Sequence, residues 1–250
     1  MKRLKFLNVL IFSLIFSSCA ELTTILSGSG SGSALTSAEI IAGLKEALSV
    51  GTDSAVSRIA KTNGYFLDEL IRITLPPEAK TITDNLTKLP GGDKLVNDVI
   101  LRINRAAEDA AKEAGPIFLG SIKSMTIRDG LAILKGGETA ATDYLRTTTS
   151  SRLYELYQPK IKTSIDKKLI GNVSTAESWN KLTTEWNKVA NSIIGQVAGL
   201  QPVHVKLDEY LTQKALDGLF LKISEQERMI RTDPVARVTG LLKKVFGARI

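Results

Sequence analysis

Residues 93–114 read DKLVNDVILRINRAAEDAAKEA. Apolar residues recur there at Val96, Val99, Ile100, Ile103, Ala107, Ala110 and Ala114. Steps of three and four place them along one side of a helix with 3.6 residues per turn. Asp93 stands where an N-cap belongs, and Gly115-Pro116 ends the run. The alanines of the second half leave room for a neighbouring helix to approach closely. No part of the chain shows a sustained period of two, the mark of a half-buried strand.

The same signals recur outward from this helix. Thr36-Ser37-Ala38-Glu39, Thr126-Ile127-Arg128-Asp129 and Ser174-Thr175-Ala176-Glu177 all have capping-box spacing, in which a hydroxyl accepts from the amide three residues on and the acid there reaches back. Ile40, Ile41, Leu44 and Leu48 follow the first box, and Gly51-Thr52-Asp53 predicts a break before Ala55, Val56 and Ile59. Pro116 suits the first position of a next helix. Tyr144-Leu145 predicts a short helix; Leu153, Leu156, Tyr157, Ile161, Ile165 and Leu169 continue at helical spacing, with a kink at Pro159. Residues 195–202 read as a loop. Asp208 is placed to cap a long helix running to Ile230, and the tail puts Val238, Leu241, Leu242 and Val245 on one side. The best strand candidate, 203–207, is short. The expected fold class is therefore all-α: a single multi-helix domain over residues 36–250. With 43% hydrophobic but only 6% aromatic residues, its core must be Leu, Ile, Val and Ala, which suits packed helices.

The chain opens MKRLKFLNVLIFSLIFSS at 1–18, a basic start followed by an apolar run at 6–16. This is the pattern of a secretory signal, and it is shorter than the ~20 apolar residues that span a bilayer. Ser17 and Ser18 precede Cys19, the single cysteine, which has no partner in the chain for a disulfide. The position resembles a bacterial lipobox, where the cysteine becomes the first mature residue and carries lipid. Phe16 departs from the aliphatic residue common three places before it. Lipidation of Cys19 is expected; an ordinary signal peptide with an incidental cysteine is the alternative. Ala20, rather than Asp, resembles lipoproteins sorted to an outer membrane, here on the periplasmic face. The tract SGSGSGS at 27–33 reads as a flexible coil. The expected organisation is a cleaved signal at 1–18, a lipidated tether at 19–35 and the helical domain at 36–250.

Lys2, Arg3 and Lys5 of the leader are three of the 33 Lys and Arg set against 26 Asp and Glu. The rest of the chain is only mildly basic, without the concentrated face of a nucleic-acid binder, so no nucleic-acid partner is expected. His204 is the only histidine, so no His/Cys metal cluster is expected and any Ser-His-Asp site would have to use it. No G-x-S-x-G, Walker A or dinucleotide fingerprint is present. Neither cofactor nor catalytic residues are expected. Glu108, Asp109 and Glu113 read as a solvated helix face. Asn104 and Arg105 beside an apolar face, with Asp129, Thr142, Tyr144 and Arg146, are the candidates for a polar pocket. Gly136-Gly137, Thr139, Thr142 and the threonines at 147–149 read as a helix end and the next helix start, with an anion cradle as the alternative. The segment Leu241-Leu242-Lys243-Lys244-Val245-Phe246 reads as docked on the core, with a membrane-surface role as the alternative.

Two separated blocks carry a resemblance. Residues 129–146 read DGLAILKGGETAATDYLR; later come KALDGLF at 214–220, IRTDP at 230–234 and LLKKVFG at 241–247. In this order they resemble DUF4197, a family of bacterial proteins of unknown function that often bear lipoprotein signals. The likeness extends over about 36–247. It implies an exported helical domain and carries over no activity. The expected function is a cell-envelope lipoprotein, bound to the membrane through Cys19, acting as a non-enzymatic binding or scaffolding module for an envelope protein or an apolar ligand. An envelope hydrolase or lyase using carboxylates is the alternative.

Overall fold

All three capping boxes are formed in the computed structural model, which describes residues 36–88 and 90–247. The signal at 1–18, Cys19 and the tether at 19–35 lie outside the described residues. Thr36 starts α1 (Ser37–Ile59). After a coil and a 3-10 turn come α2 (Lys80–Leu86), α3 (Gly92–Ala111) and α4 (Ala114–Ser124). Thr126 starts α5 (Ile127–Lys135), which leads to α6 (Ala140–Asp166). Ser174 starts α7 (Thr175–Ala190), followed by α8 (Ile193–Val197), α9 (Leu207–Thr232) and α10 (Gly240–Gly247). The described residues contain no strand; 203–206 are extended coil, and Ile170 and Val173 form an isolated bridge.

The long helices pack side by side. Ala141 meets Glu227, Arg146 meets Asp217 and Gln158 meets Asp208, so α6 and α9 run antiparallel. α3 lies antiparallel to α6 through Asp109 with Lys167 and Glu113 with Lys160. α1 covers α9, and α10 docks on α1 with Leu242 and Val245 fully buried. The tail is thus part of the core.

Several boundaries differ from the sequence reading. α1 runs unbroken through Gly51, because Gly51 and Thr52 are buried and tertiary packing outweighs glycine's weak helix propensity. α6 is one helix through Pro159; the ring removes one hydrogen bond on an exposed face, where water can serve the Glu155 carbonyl. Asp93 does not cap α3: Gly91, at φ 80°, makes the turn, and Gly92 presses on the Leu86 carbonyl too closely for any Cβ. Asp208 lies inside the first turn of α9 rather than at its cap. Pro116 is the third residue of α4, and part of the expected loop after Ser192 is α8.

The capping acids predict an acid limb of stability. Glu39 is held down to about 2 by the Lys244 ammonium and by Thr36; Asp129 is lowered by Thr126, and Glu177 by Ser174. A carboxyl lowered in the folded state contributes stability that is complete above its unfolded value near ~4.3 and is lost as pH falls through its folded value. Melting temperature should therefore fall between pH ~4.5 and ~2. The decline should be shallower in Glu39→Gln, measured by circular dichroism; superimposable profiles would exclude Glu39 as a contributor.

Candidate functional site

The six candidate residues divide among three structural tasks. Asn104 and Arg105 face the coil at 61–76, which has no helix of its own until Pro77 yet buries Tyr65, Ile71, Ile73 and Leu75. Asn104, fully buried, accepts from the Ile73 amide at 2.9 Å and donates to the Ile73 carbonyl at 2.7 Å. One turn on, Glu108 accepts from the Tyr65 and Phe66 amides, both at 3.1 Å, and Arg105 bridges Glu108 and Asn63 at 2.6 Å each. Asn63 sits at φ 70°, so the coil turns there in the left-handed region. The guanidinium groups of Arg72 and Arg105 lie 4.6 and 5.6 Å from the Phe66 ring centre. From the other side, the Tyr65 hydroxyl donates to the Ala215 carbonyl at 2.7 Å. Lys222 pairs with Asp68 and Glu225; burial opposes its charge, but the two carboxylates prevail and raise its pKa. Glu108, expected on a solvated face, is 3% exposed and clamps this coil.

The start of α6 is the second place. Its N-cap Thr139 gives no side-chain cap. The carboxylate of Glu227, from α9, takes that role: it accepts from the Ala141 amide at 3.0 Å, the Thr142 amide at 2.8 Å and the Thr142 hydroxyl at 2.7 Å. Arg231 pairs with Glu227 and donates to the Ile133 carbonyl. Gly136 caps α5. The anion that a cradle here would hold is supplied by the chain itself. Nearby, the Tyr144 hydroxyl donates to Asp129 at 3.2 Å; burial and that carboxylate raise the phenol's pKa.

Arg146 occupies the third place, over the Phe220 ring at 4.4 Å and 3.8 Å from Asp217. It lines a polar cleft of about 400 Å³ with Tyr154 and Gln213. His204 is exposed, and among the described residues no group of three or more His, Cys, Asp or Glu is arranged to hold a metal.

A larger opening, about 700 Å³, lies between α3 and α7 and contains none of the six. Leu86, Leu95, Leu182, Trp186, Val189 and Leu200 make it mainly apolar. Leu95 is 47% exposed and Val189 52%. The rim is charged, but Asp98 is paired with Arg102 and Glu185 with Lys188. Arg102 also donates to the Ile170 and Val173 carbonyls, which fixes the groove's far wall. Lys88 and Lys181 complete the rim. Sequence reading did not identify this site: Leu95 and Val189 each stand alone as exposed aliphatics, and only the packing of α3 on α7 joins them.

No curated protein and no solved structure matches the chain. The family model of the proteins of unknown function DUF4197 matches residues 34–247, which includes every described helix. The two sequence blocks that carried the resemblance meet in space, where Arg146 of one lies against Asp217 and Phe220 of the other. The chain belongs to the DUF4197 family.

Proposed function

We propose that the chain is a cell-envelope lipoprotein, anchored through Cys19 at the periplasmic face of an outer membrane, whose helical domain binds an anionic amphiphile in the α3–α7 groove. The observation that carries this reading is the groove itself. Its volume of about 700 Å³ falls within the ~300–1,000 Å³ of small-molecule sites, and its inner surface is mostly apolar, with a charged and polar rim. With Asp98 and Glu185 already paired, Lys88 and Lys181 are left to meet an anionic head group. The non-enzymatic character is supported by the state of the buried carboxylates: Glu108 and Glu227 each accept from two backbone amides and an arginine, which suits clamping better than proton transfer. Among the described residues no helix is long and apolar enough to cross a membrane; the proposed attachment is the lipid on Cys19.

A fluorescent fatty acid titrated into the full chain tests the groove. Val189→Glu places a charge on an exposed position of its wall and should weaken uptake by about tenfold, the effect of one lost buried aliphatic contact. Lys181→Glu should weaken it less and make it insensitive to salt. Saturable uptake unchanged by either variant would place the ligand elsewhere; no uptake by the parent chain would overturn the reading.

A further inference from the structure

Beside the groove, 189–205 runs from Lys188 to Lys206 without a single Asp, Glu, Lys or Arg. At its apex α8 exposes Ile193 at 83%, Ile194 at 81% and Val197 at 86%. Other exposed aliphatics are interleaved with charge: Leu67 and Leu70 flank Asp68 and Glu69, and Val235 and Val238 lie near Asp233 and Arg237. Among the described residues, only α8 presents a cluster of bulky aliphatics on an uncharged background.

The apex is held rigidly. The Ser192 hydroxyl accepts from the Gly195 amide at 3.0 Å, and the Leu200 amide donates to the Gly195 carbonyl at 2.9 Å. Gly195 rests on the last carbonyls of α7 with no room for a Cβ. Trp186 donates to the Gln201 carbonyl at 2.9 Å, and the Asn187 side chain clasps Val203 by donating to its carbonyl and accepting from its amide. The aliphatic side chains are displayed by a fixed scaffold.

We infer that the α8 apex inserts into the surface of a phospholipid bilayer. Three aliphatic side chains cover a few hundred Å², well short of the ~1,200–2,000 Å² that a stable protein interface buries. The apex has none of the Trp, Tyr or Arg that dominate protein hot spots. An uncharged wedge suits the interfacial region, where aliphatic groups enter the acyl boundary while the flanking Lys188–Glu185 and Lys206–Glu209 pairs stay in water. At most ~60 Å of extended chain joins Cys19 to Thr36, enough for any face of a domain this size to reach the membrane that holds the cysteine. Val189 and Leu200 line the groove and flank α8, so an inserted apex would open the groove toward the bilayer and let it load from there. The inference rests on the anchored reading, not on the identity of the ligand.

The test uses the full chain, carrying Ile193→Trp or, as a control, Val235→Trp, mixed with phosphatidylcholine–phosphatidylglycerol (4:1) vesicles that contain brominated acyl chains. Emission added by the residue-193 tryptophan should be quenched at least about threefold more than that at 235, and in the Cys19→Ser background Ile193→Asp should lower vesicle partition about tenfold. Cys19→Ser is read separately by flotation. Loss of flotation in Cys19→Ser with quenching preserved at high lipid would show the anchor and the apex as two independent contacts. An Ile193→Trp chain that is quenched at residue 193 but floats no better with Cys19 than with Cys19→Ser would sink the anchor and keep the apex. Equal quenching at 193 and 235, or a residue-193 signal that changes with protein concentration and not with bromine, overturns the inference; the second outcome would assign the apex to self-association.

Discussion

Glu227→Ala should cost about 3–5 kcal/mol and lower the melting temperature by about 10 °C. Glu227 is 8% exposed and holds three donors at the start of α6 in addition to Arg231. Truncation leaves the Ala141 and Thr142 amides buried without acceptors, at the positive end of a helix dipole. It also leaves the Arg231 guanidinium, 14% exposed, with only the Ile133 carbonyl. An uncompensated buried charge is the larger part of the cost. Glu227→Gln should cost about half as much, because one amide oxygen still accepts while the NH₂ faces donors. Guanidinium unfolding decides the matter. An Ala variant within about 1 kcal/mol of the parent at unchanged m-value would mean that water replaces the carboxylate and that α6 needs no cap from α9. A double-mutant cycle with Thr142→Val should return a coupling of about 1 kcal/mol or more if hydroxyl and carboxylate act as a unit.

What sequence reading could reach was what is local. A capping box joins residues three apart, so Thr36 with Glu39, Thr126 with Asp129 and Ser174 with Glu177 were legible, and all three are formed. Glu227 and Glu108 cap backbone that lies 86 and 43 residues away, and nothing beside either residue names that partner. A signal did exist for Glu108 and Asn104: both lie on the stripe of Ile100, Ala107 and Ala111, steps of three and four from one another, and a polar side chain inside an apolar stripe needs a buried partner. The coil at 61–76 is that partner. It was not legible as structure because it has no periodicity; its own turns at Asn63 and Asp68 are local, but Asn104, Glu108 and Lys222 fix where it lies. The groove and the α8 apex escaped for the opposite reason. An exposed Ile or Val is ordinary in isolation. Leu95 and Val189 meet only through the packing of α3 on α7. Although Ile193, Ile194 and Val197 are close in sequence, their exposure depends on how the chain after α7 seats Gly195 on the last carbonyls of that helix.

The coil also supplies the sharpest isosteric test. Asn104→Asp changes almost no volume, so it opens no cavity, and only charge and hydrogen-bond polarity are altered. The carboxylate can still accept from the Ile73 amide, as the parent oxygen does at 2.9 Å. Its second oxygen replaces the amide nitrogen that donates to the Ile73 carbonyl at 2.7 Å and the Ile100 carbonyl at 2.8 Å, so it faces two acceptors with nothing to give. The buried Ile73 carbonyl loses its donor, at about 1–3 kcal/mol, while the half-buried Ile100 carbonyl keeps its helix amide; a fully buried charge is repelled by both. We expect a loss of about 3–5 kcal/mol at pH 7, with the 61–76 coil the first segment to exchange its amides. The pH dependence identifies the cause. Burial and the facing carbonyls raise the folded-state pKa of the new carboxyl above its unfolded value, because they oppose its charge. The penalty is therefore greatest when the group is ionised in both states. It shrinks as pH falls through the raised value, where the protonated acid can donate to one of the two carbonyls. The gap between parent and Asn104→Asp should narrow from pH 7 toward pH ~4, the reverse of the acid limb set by Glu39. A gap constant with pH would mean that the introduced carboxylate has turned to solvent and the coil has lost its clip altogether. A gap below about 1 kcal/mol at pH 7 would mean that Glu108 and Lys222 hold the coil without it.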